Sequence, residues 1–310
     1  MSSPVNRRTV LGAAAKTLVG SAAFAVSHAS GESGVAVPAP SAKPGVMIRG
    51  YAAGPFGQVH FQDGRVGKPL VMIHQAPMSS RQFDSVYPHF LELGYRPIGI
   101  DLPGFGMSDP TEFVPTVGDW ARVVPAVLDH LGIDRADVVG HHTGALVATE
   151  VELQFRPRVR KLVLGGALPL TAVERRKFLE GVERNEIRFV YEADGRHLQH
   201  SFMTRHRMYG DSQPPDPRLI TRYIVEKFMG RGPFWHGHFA AFSYDHGAAL
   251  MAIRCQTLLI TNTGDQIYEQ TKLAHRLRSD FAFVELQGGG VDIVDQQPKE
   301  WASRINQFLI

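Results

Sequence analysis

Cysteine is almost missing from this chain: among 310 residues only Cys255 carries a thiol. A single thiol excludes an internal disulfide and leaves no cysteine pair for a metal framework. Its place at the start of a buried strand suits inert core packing. Acidic residues are missing from the N-terminus, where none precedes Glu32. A long hydrophobic run is missing as well. The apolar, alanine-rich stretch ending at Val26 is broken by Lys16 and two glycines, which leaves it short of a comfortable membrane span. Internal repeats are also missing.

The N-terminus has a composition of its own. Asn6-Arg7-Arg8-Thr9-Val10-Leu11 opens the apolar stretch, and Ser27-His28-Ala29 closes it with small residues. The order of paired arginines, weakly apolar core and small-residue end resembles a twin-arginine export signal over residues 1–29, removed on export. That resemblance implies passage through the twin-arginine (Tat) translocase, a periplasmic or secreted location and no stable membrane anchor afterwards. A membrane anchor and a mitochondrial transit peptide are the alternatives. Residues 30–45, with Pro38, Pro40 and Pro44, read as a polar linker without fixed structure.

The net charge of +3 owes everything to that leader. Removing Arg7, Arg8 and Lys16 leaves thirty basic against thirty acidic residues, so the charge gives no warrant for a nucleic-acid partner. With 44% hydrophobic and 20% charged residues, the remainder has the composition of a globular protein with a substantial core.

From Val46 onward the pattern alternates. Extended pieces at Val46–Tyr51 and Gln58–Phe61 predict a strand pair, with a turn after the second at Asp63-Gly64. Short continuous apolar runs at Leu70–Ile73, Pro97–Ile100, Ala136–Val139, Val159–Leu164, Thr257–Ile260 and Ala282–Leu286 predict strands buried on both faces. Between them, helical spacing predicts helices over Ser80–Leu93, Thr116–Leu131 (kinked at Pro125), Gly144–Phe155, Tyr268–Leu277 and Pro298–Leu309. Strand–helix alternation of this kind means an α/β class with a doubly wound, mostly parallel sheet. Residues 46–167 and 251–310 carry that grammar. Residues 168–250 are richer in Arg, His and aromatics, with breaks at Pro214, Pro215 and Pro217, and predict an inserted helical cap.

Chemistry concentrates at Val138-Val139-Gly140-His141-His142-Thr143-Gly144-Ala145, an apolar run that stops at a glycine just before a helix begins. Four further landmarks share its order along the chain: His74-Gln75-Ala76-Pro77, the turn from Asp101-Leu102-Pro103-Gly104 to Ser108-Asp109, Thr263-Gly264-Asp265, and Gln287-Gly288-Gly289-Gly290-Val291. Together these resemble the capped α/β-hydrolase superfamily over residues 46–310. They correspond to its nucleophile elbow, H-G-x-P oxyanion loop, D-x-P-G-x-G-x-S turn, catalytic acid and terminal base loop. The resemblance implies a hydrolase, with ligands at the C-terminal ends of the strands.

Two departures decide what can be expected. The nucleophile position holds His142 where serine, cysteine or aspartate is usual, and the base position holds Val291. A Ser-His-Asp triad on the usual positions is therefore excluded. Thr143 contributes through its backbone N–H, because its side chain should point away from the site. Neutral imidazole needs no neighbouring base to be activated, and the positive end of the following helix favours that neutral form. The expected centre is a His142–Asp265 dyad, in which Asp265 fixes the tautomer and His142 acts as general base or, less favourably, as nucleophile. The resemblance puts the N–H groups of Ala76 and Thr143 at an oxyanion hole, with Gln75 as a polar group for substrate or water and His74 as a structural member of that loop.

The expected activity is hydrolysis of an ester, lactone or carbon–carbon bond in a small organic molecule. A lyase or isomerase using His142 as proton shuttle, and a retired binding protein, are the alternatives. No cofactor is expected. His197, His200, His236, His238 and His246 lack the cysteine pair or carboxylate spacing of a metal site and are expected to line the cap or the surface. Asp292 and Asp295 are second-tier site candidates. The aromatic cluster from Phe234 to Tyr244 is expected in the core, with part of it roofing the pocket.

Overall fold

The structure, a computed structural model, describes residues 46–209, 214 and 216–310. The export and linker expectations for residues 1–29 and 30–45 lie outside the described residues.

Eight strands form one sheet: β1 (Ile48–Gly54), β2 (Gly57–Asp63), β3 (Lys68–Ile73), β4 (Tyr95–Ile100), β5 (Ala136–His141), β6 (Val159–Gly165), β7 (Gln256–Asn262) and β8 (Ala282–Leu286). Their spatial order is β1-β2-β4-β3-β5-β6-β7-β8. β1 pairs antiparallel with β2, and β2 antiparallel with β4, while every pairing from β4 to β8 is parallel. The β1–β2 hairpin turns at Pro55-Phe56, with Gly54 opposite Gly57, so both strands run longer than their apolar pieces. Leu70, Val71, Met72 and Ile73 have no exposed surface, which explains an apolar run without alternation: helices cover both faces. Two apolar clusters result, one around Trp120, Val138 and Leu146, the other around Phe83, Phe90 and Trp301.

Proline sets where the first two helical segments break. Pro88 tolerates only the first helical turn, so α1 begins at Tyr87 and runs to Glu92, preceded by a 3₁₀ turn at Ser80–Phe83 that Ser79 caps. Pro125 supplies no N–H to the carbonyl of Ala121 and crowds it. The expected kink is accordingly a break between α2 (Val117–Ala121) and α3 (Val123–His130). α4 (Thr143–Gln154) follows β5 directly.

Between β6 and β7 the described chain is helical: α5 (Ala172–Val182) running into a π-helical turn at Glu183–Ile187, α6 (Arg196–Arg207), α7 (Pro217–Met229), α8 (His236–Ser243) and α9 (His246–Ala252). The sheet layer then closes with α10 (Tyr268–Leu277), a short α11 (Ile293–Gln296) and α12 (Pro298–Leu309).

Candidate active site

β5 ends at His141 and α4 starts at Thr143, leaving His142 alone in the turn with φ 50° and ψ −115°. A positive φ on a non-glycine residue costs on the order of 1–3 kcal/mol and persists only where the surroundings enforce it. The flanking glycines show what enforces it. A Cβ on Gly140 would lie 2.0 Å from the carbonyl oxygen of Gly144, and one on Gly144 would lie 2.0 Å from that of Ile73. The two glycines let helix and strands approach until only the side chain between them can project.

That side chain points its Nε2 at Oδ2 of Asp265, 3.0 Å away. Asp265 follows β7, with its side chain 2% exposed; its Oδ1 accepts from the N–H of Ile267 at 3.2 Å. Burial alone raises a carboxyl pKa, but the His142 charge and hydrogen bond, His141 and the Ile267 N–H outweigh it and hold Asp265 below its ordinary value. The remaining nitrogen of His142, Nδ1, has no protein hydrogen-bond partner among the described residues, and the ring lines a cavity of about 100 Å³. An Asp265 carboxylate accepts the Nε2 proton, so the Nδ1 lone pair is the one left for chemistry.

His141, on β5, lies behind this pair, its ring 4.5 Å from that of His142. Both of its nitrogens are buried without a protein partner. Burial, reinforced by the neighbouring His142, holds it well below the usual imidazole value. It is a neutral wall to the site.

Gln75, Ala76 and Thr143 also line the cavity. The N–H groups of Ala76 and Thr143 make no hydrogen bond within the described protein, whereas that of Gln75 donates to Oε1 of Gln82 at 2.8 Å. The Gln75 side-chain nitrogen is buried and unpaired. His74 stands apart. Its Nδ1 meets the Gln75 carbonyl at 2.8 Å and its Nε2 accepts from the N–H of Leu102 at 2.9 Å, so it braces the loop against the next one. That next loop closes on Asp101, whose carboxylate takes the N–H groups of Ser80 and Met107 and Nδ1 of His60.

Val291 is 3% exposed and packs with Met78, Tyr209, Ile220, Tyr223 and Ile224. Asp292 and Asp295 do not line the cavity. Asp292 accepts from Arg205 at 2.5 Å and from the hydroxyl of Tyr209, and Asp295 is held by Arg222 and Ser85. The loop after β8 is thus fastened to α6 and α7. Among the expected histidines, His246 is buried against Oγ1 of Thr149 and the N–H of Leu168. His238 lines the cavity beside Phe242, a placement that residue spacing alone did not indicate. Among the described residues no group of three or more His, Cys, Asp or Glu side chains is placed to hold a metal ion. Cys255 is partly buried, and burial pushes its thiol up to about 11.

Comparison with known proteins agrees with this architecture. The profile of the alpha/beta hydrolase fold family matches residues 68–287. A 2-hydroxy-6-oxononadienedioate/2-hydroxy-6-oxononatrienedioate hydrolase from Paraburkholderia phymatum is 39% identical over 114 residues, 35% of this chain and 40% of the relative. A non-heme haloperoxidase from Rhodococcus erythropolis is 33% identical over 126 residues, 40% of this chain and 46% of the relative. The chain therefore spans less than half the length of these relatives. A bromoperoxidase structure from Bacillus anthracis superposes with a TM-score of 0.70 at 20% identity, covering 84% of this chain and 99% of that one; at that identity the likeness speaks for the fold alone. With the sheet order, the elbow and the matched profile in agreement, the chain belongs to the α/β hydrolase fold family.

Proposed function

We propose that this protein is an enzyme that hydrolyses a small organic molecule at an ester, lactone or carbon–carbon bond, with His142 as general base. The observation that carries the reading is the 3.0 Å contact between Nε2 of His142 and Asp265, which commits one nitrogen to the carboxylate and leaves Nδ1, in a residue that lines the cavity, without a protein partner among the described residues. In an ester or lactone, Nδ1 takes a proton from water as the water oxygen bonds to the acyl carbon. The Ala76 and Thr143 N–H groups meet the developing oxyanion, and collapse of the tetrahedral intermediate expels the leaving group. General-base assistance of this type accounts for about 10²–10⁴ in rate. The relatives named as hydrolases and a matched family profile support the hydrolytic class; the helices between β6 and β7, several of which line the cavity, act as its cap.

No alcohol or thiol stands at the elbow, so the same base also serves a lyase or isomerase in which His142 shuttles a proton and no water is consumed. Incorporation of oxygen-18 from solvent into the product identifies hydrolysis; its absence identifies the second reading. Turnover undiminished in His142→Ala overturns both.

Export through the twin-arginine translocase to the periplasm or beyond is part of the same proposal. It is supported by Arg7-Arg8, the weakly apolar stretch after them and the small residues at Ser27-His28-Ala29. Arg7→Lys with Arg8→Lys should retain the protein in the cytoplasmic fraction, and unchanged fractionation refutes the assignment.

A further inference from the structure

The cavity holds a second imidazole bound to a carboxylate. His238 on α8 presents Nδ1 to Oε1 of Glu186 at 2.7 Å, and Glu186 comes from the π-helical turn that ends α5. π-Helical turns are rare and recur at functional sites; this one puts its carboxylate within reach of a residue 52 positions away. The ring has a second constraint: it stacks on Phe242, one helical turn on, at 5.8 Å and 15°. Phe242 in turn stacks on Phe178 of α5 at 4.7 Å. Nothing in the described protein accepts from Nε2 of His238, the side chain is 30% exposed, and it shares the cavity with His142.

We propose that His238 is a second catalytic residue, the general acid that protonates the departing oxygen while His142 removes the proton of water. This rests on the hydrolytic reading of the site. The step balances without a co-reactant. Water loses one proton to Nδ1 of His142 and its hydroxyl joins the acyl carbon. The carbon–oxygen bond to the leaving group breaks as Nε2 of His238 gives that oxygen a proton. Solvent then returns the surplus proton of His142 to His238.

The charges around His238 suit a proton donor. Burial lowers the affinity of His238 for its proton, but the charge and hydrogen bond of Glu186 more than reverse this, against smaller opposition from Lys227 on α7 and Arg205 on α6. The result is a pKa above the ordinary imidazole value. On its own helix the other imidazole, His236, is partly covered by the Trp235 ring, 4.4 Å away, and burial lowers its pKa. A general acid is lost on deprotonation, so activity should fall as pH rises through the His238 transition.

The test joins ¹⁵N-histidine NMR titration to kinetics on two esters, phenyl acetate and p-nitrophenyl acetate. The second has a leaving group that needs no proton. In the intact protein His238 should titrate above 6.5, and below that in Glu186→Gln. His238→Gln should lower kcat on phenyl acetate about 100-fold, at least tenfold more than on p-nitrophenyl acetate, with KM changed less than threefold and the alkaline limb gone. Equal losses on both esters indicate a structural role and overturn the proposal, as does a His238 that titrates below 6.5. An unaltered alkaline limb in His238→Gln also overturns it, leaving His142 as base untouched. Full turnover by His142→Ala, or no turnover of either ester by the wild type, overturns the ester-hydrolysis reading instead.

Discussion

Asp265→Asn separates the role of the Asp265 charge from that of its shape. The carboxylate now accepts two hydrogen bonds, from the N–H of Ile267 on Oδ1 and from Nε2 of His142 on Oδ2. An asparagine has one oxygen and one NH₂ for these two places. The Ile267 N–H is a fixed donor and claims the oxygen, so the NH₂ faces His142. Nε2 must then accept, the proton moves to Nδ1, and the free lone pair of Nδ1 disappears. Loss of a hydrogen bond to a charged group is worth about 1.5–3 kcal/mol, or roughly 10- to 150-fold at 1.4 kcal/mol per decade. Presenting the wrong tautomer to a reaction has cost about 10⁴ in serine-protease triads. The expected loss in kcat lies between those figures, at about 10² to 10⁴, with a small change in KM, measured on phenyl acetate. The fold should survive, since the change also removes a buried charge; matching near-ultraviolet circular dichroism checks this. The depressed pKa adds a sign. Asp265 contributes stability above the ordinary carboxylate value, lost as pH falls through its lower folded value, so the variant should lose less stability than wild type between pH 4 and pH 2. A folded variant within threefold of wild-type kcat refutes the tautomer reasoning.

Gly144→Ala puts a Cβ 2.0 Å from the Ile73 carbonyl oxygen, a clash with backbone that no rotamer relieves. Destabilisation above about 3 kcal/mol is expected by urea unfolding, beyond the usual overpacking range, and a change under 1 kcal/mol shows that the elbow relaxes. Arg205→Ala leaves the Asp292 carboxylate, 5% exposed, buried without its cation, and should cost about 3–5 kcal/mol; Arg205→Met with Asp292→Leu should recover most of that. His246 is buried without its proton, and burial lowers its pKa to about 3. The unfolded chain therefore binds a proton that the folded one refuses, and this residue alone makes stability fall by about 1.4 kcal/mol per pH unit from 6.5 toward 3. His246→Phe should flatten the slope of urea midpoints between pH 6.5 and pH 5, and an unchanged slope assigns the effect elsewhere.

The strands at Leu70–Ile73, Pro97–Ile100 and Ala136–Val139 were legible because strands covered on both faces need uninterrupted apolar residues. Their polar ends were not, and β5 extends two residues further to His141. Backbone pairing, which no side chain records, decides where a strand stops. Pro125 located the break between α2 and α3, whereas the single helix expected over Ser80–Leu93 divides at Pro88 into a 3₁₀ turn and α1, which its apolar spacing concealed. At the site, the Gly140 and Gly144 frame and the offset to Asp265 were legible because the elbow allows few residue types. His238 was not. Its place depends on Glu186, and Glu186 depends on a π-helical turn that leaves no mark in side-chain periodicity. Asp292 and Asp295 misled in the opposite direction. Acidic residues beside the base position look catalytic in sequence, yet both are consumed by arginines of α6 and α7.

Those two ion pairs hold the loop that carries Val291. In this fold the loop after β8 ordinarily delivers an imidazole into the cavity, which requires open space above Asp265. Here Tyr223 and Ile224 of α7 and Tyr209 close on Val291, while Arg205 and Arg222 pull the following acidic residues toward the same helices. Val291 also lines the cavity, so a histidine at position 291 would give up part of this apolar packing to turn its ring toward the cavity, at a cost of about 1–3 kcal/mol where that ring finds no partner. The loop has become part of the anchorage of the helices above the site. The N–H of Ile267 occupies Oδ1 of Asp265, and Oδ2 takes its imidazole from the elbow rather than from this loop. An imidazole is long enough to reach that buried oxygen from the elbow, and a serine at position 142 would be too short to do so.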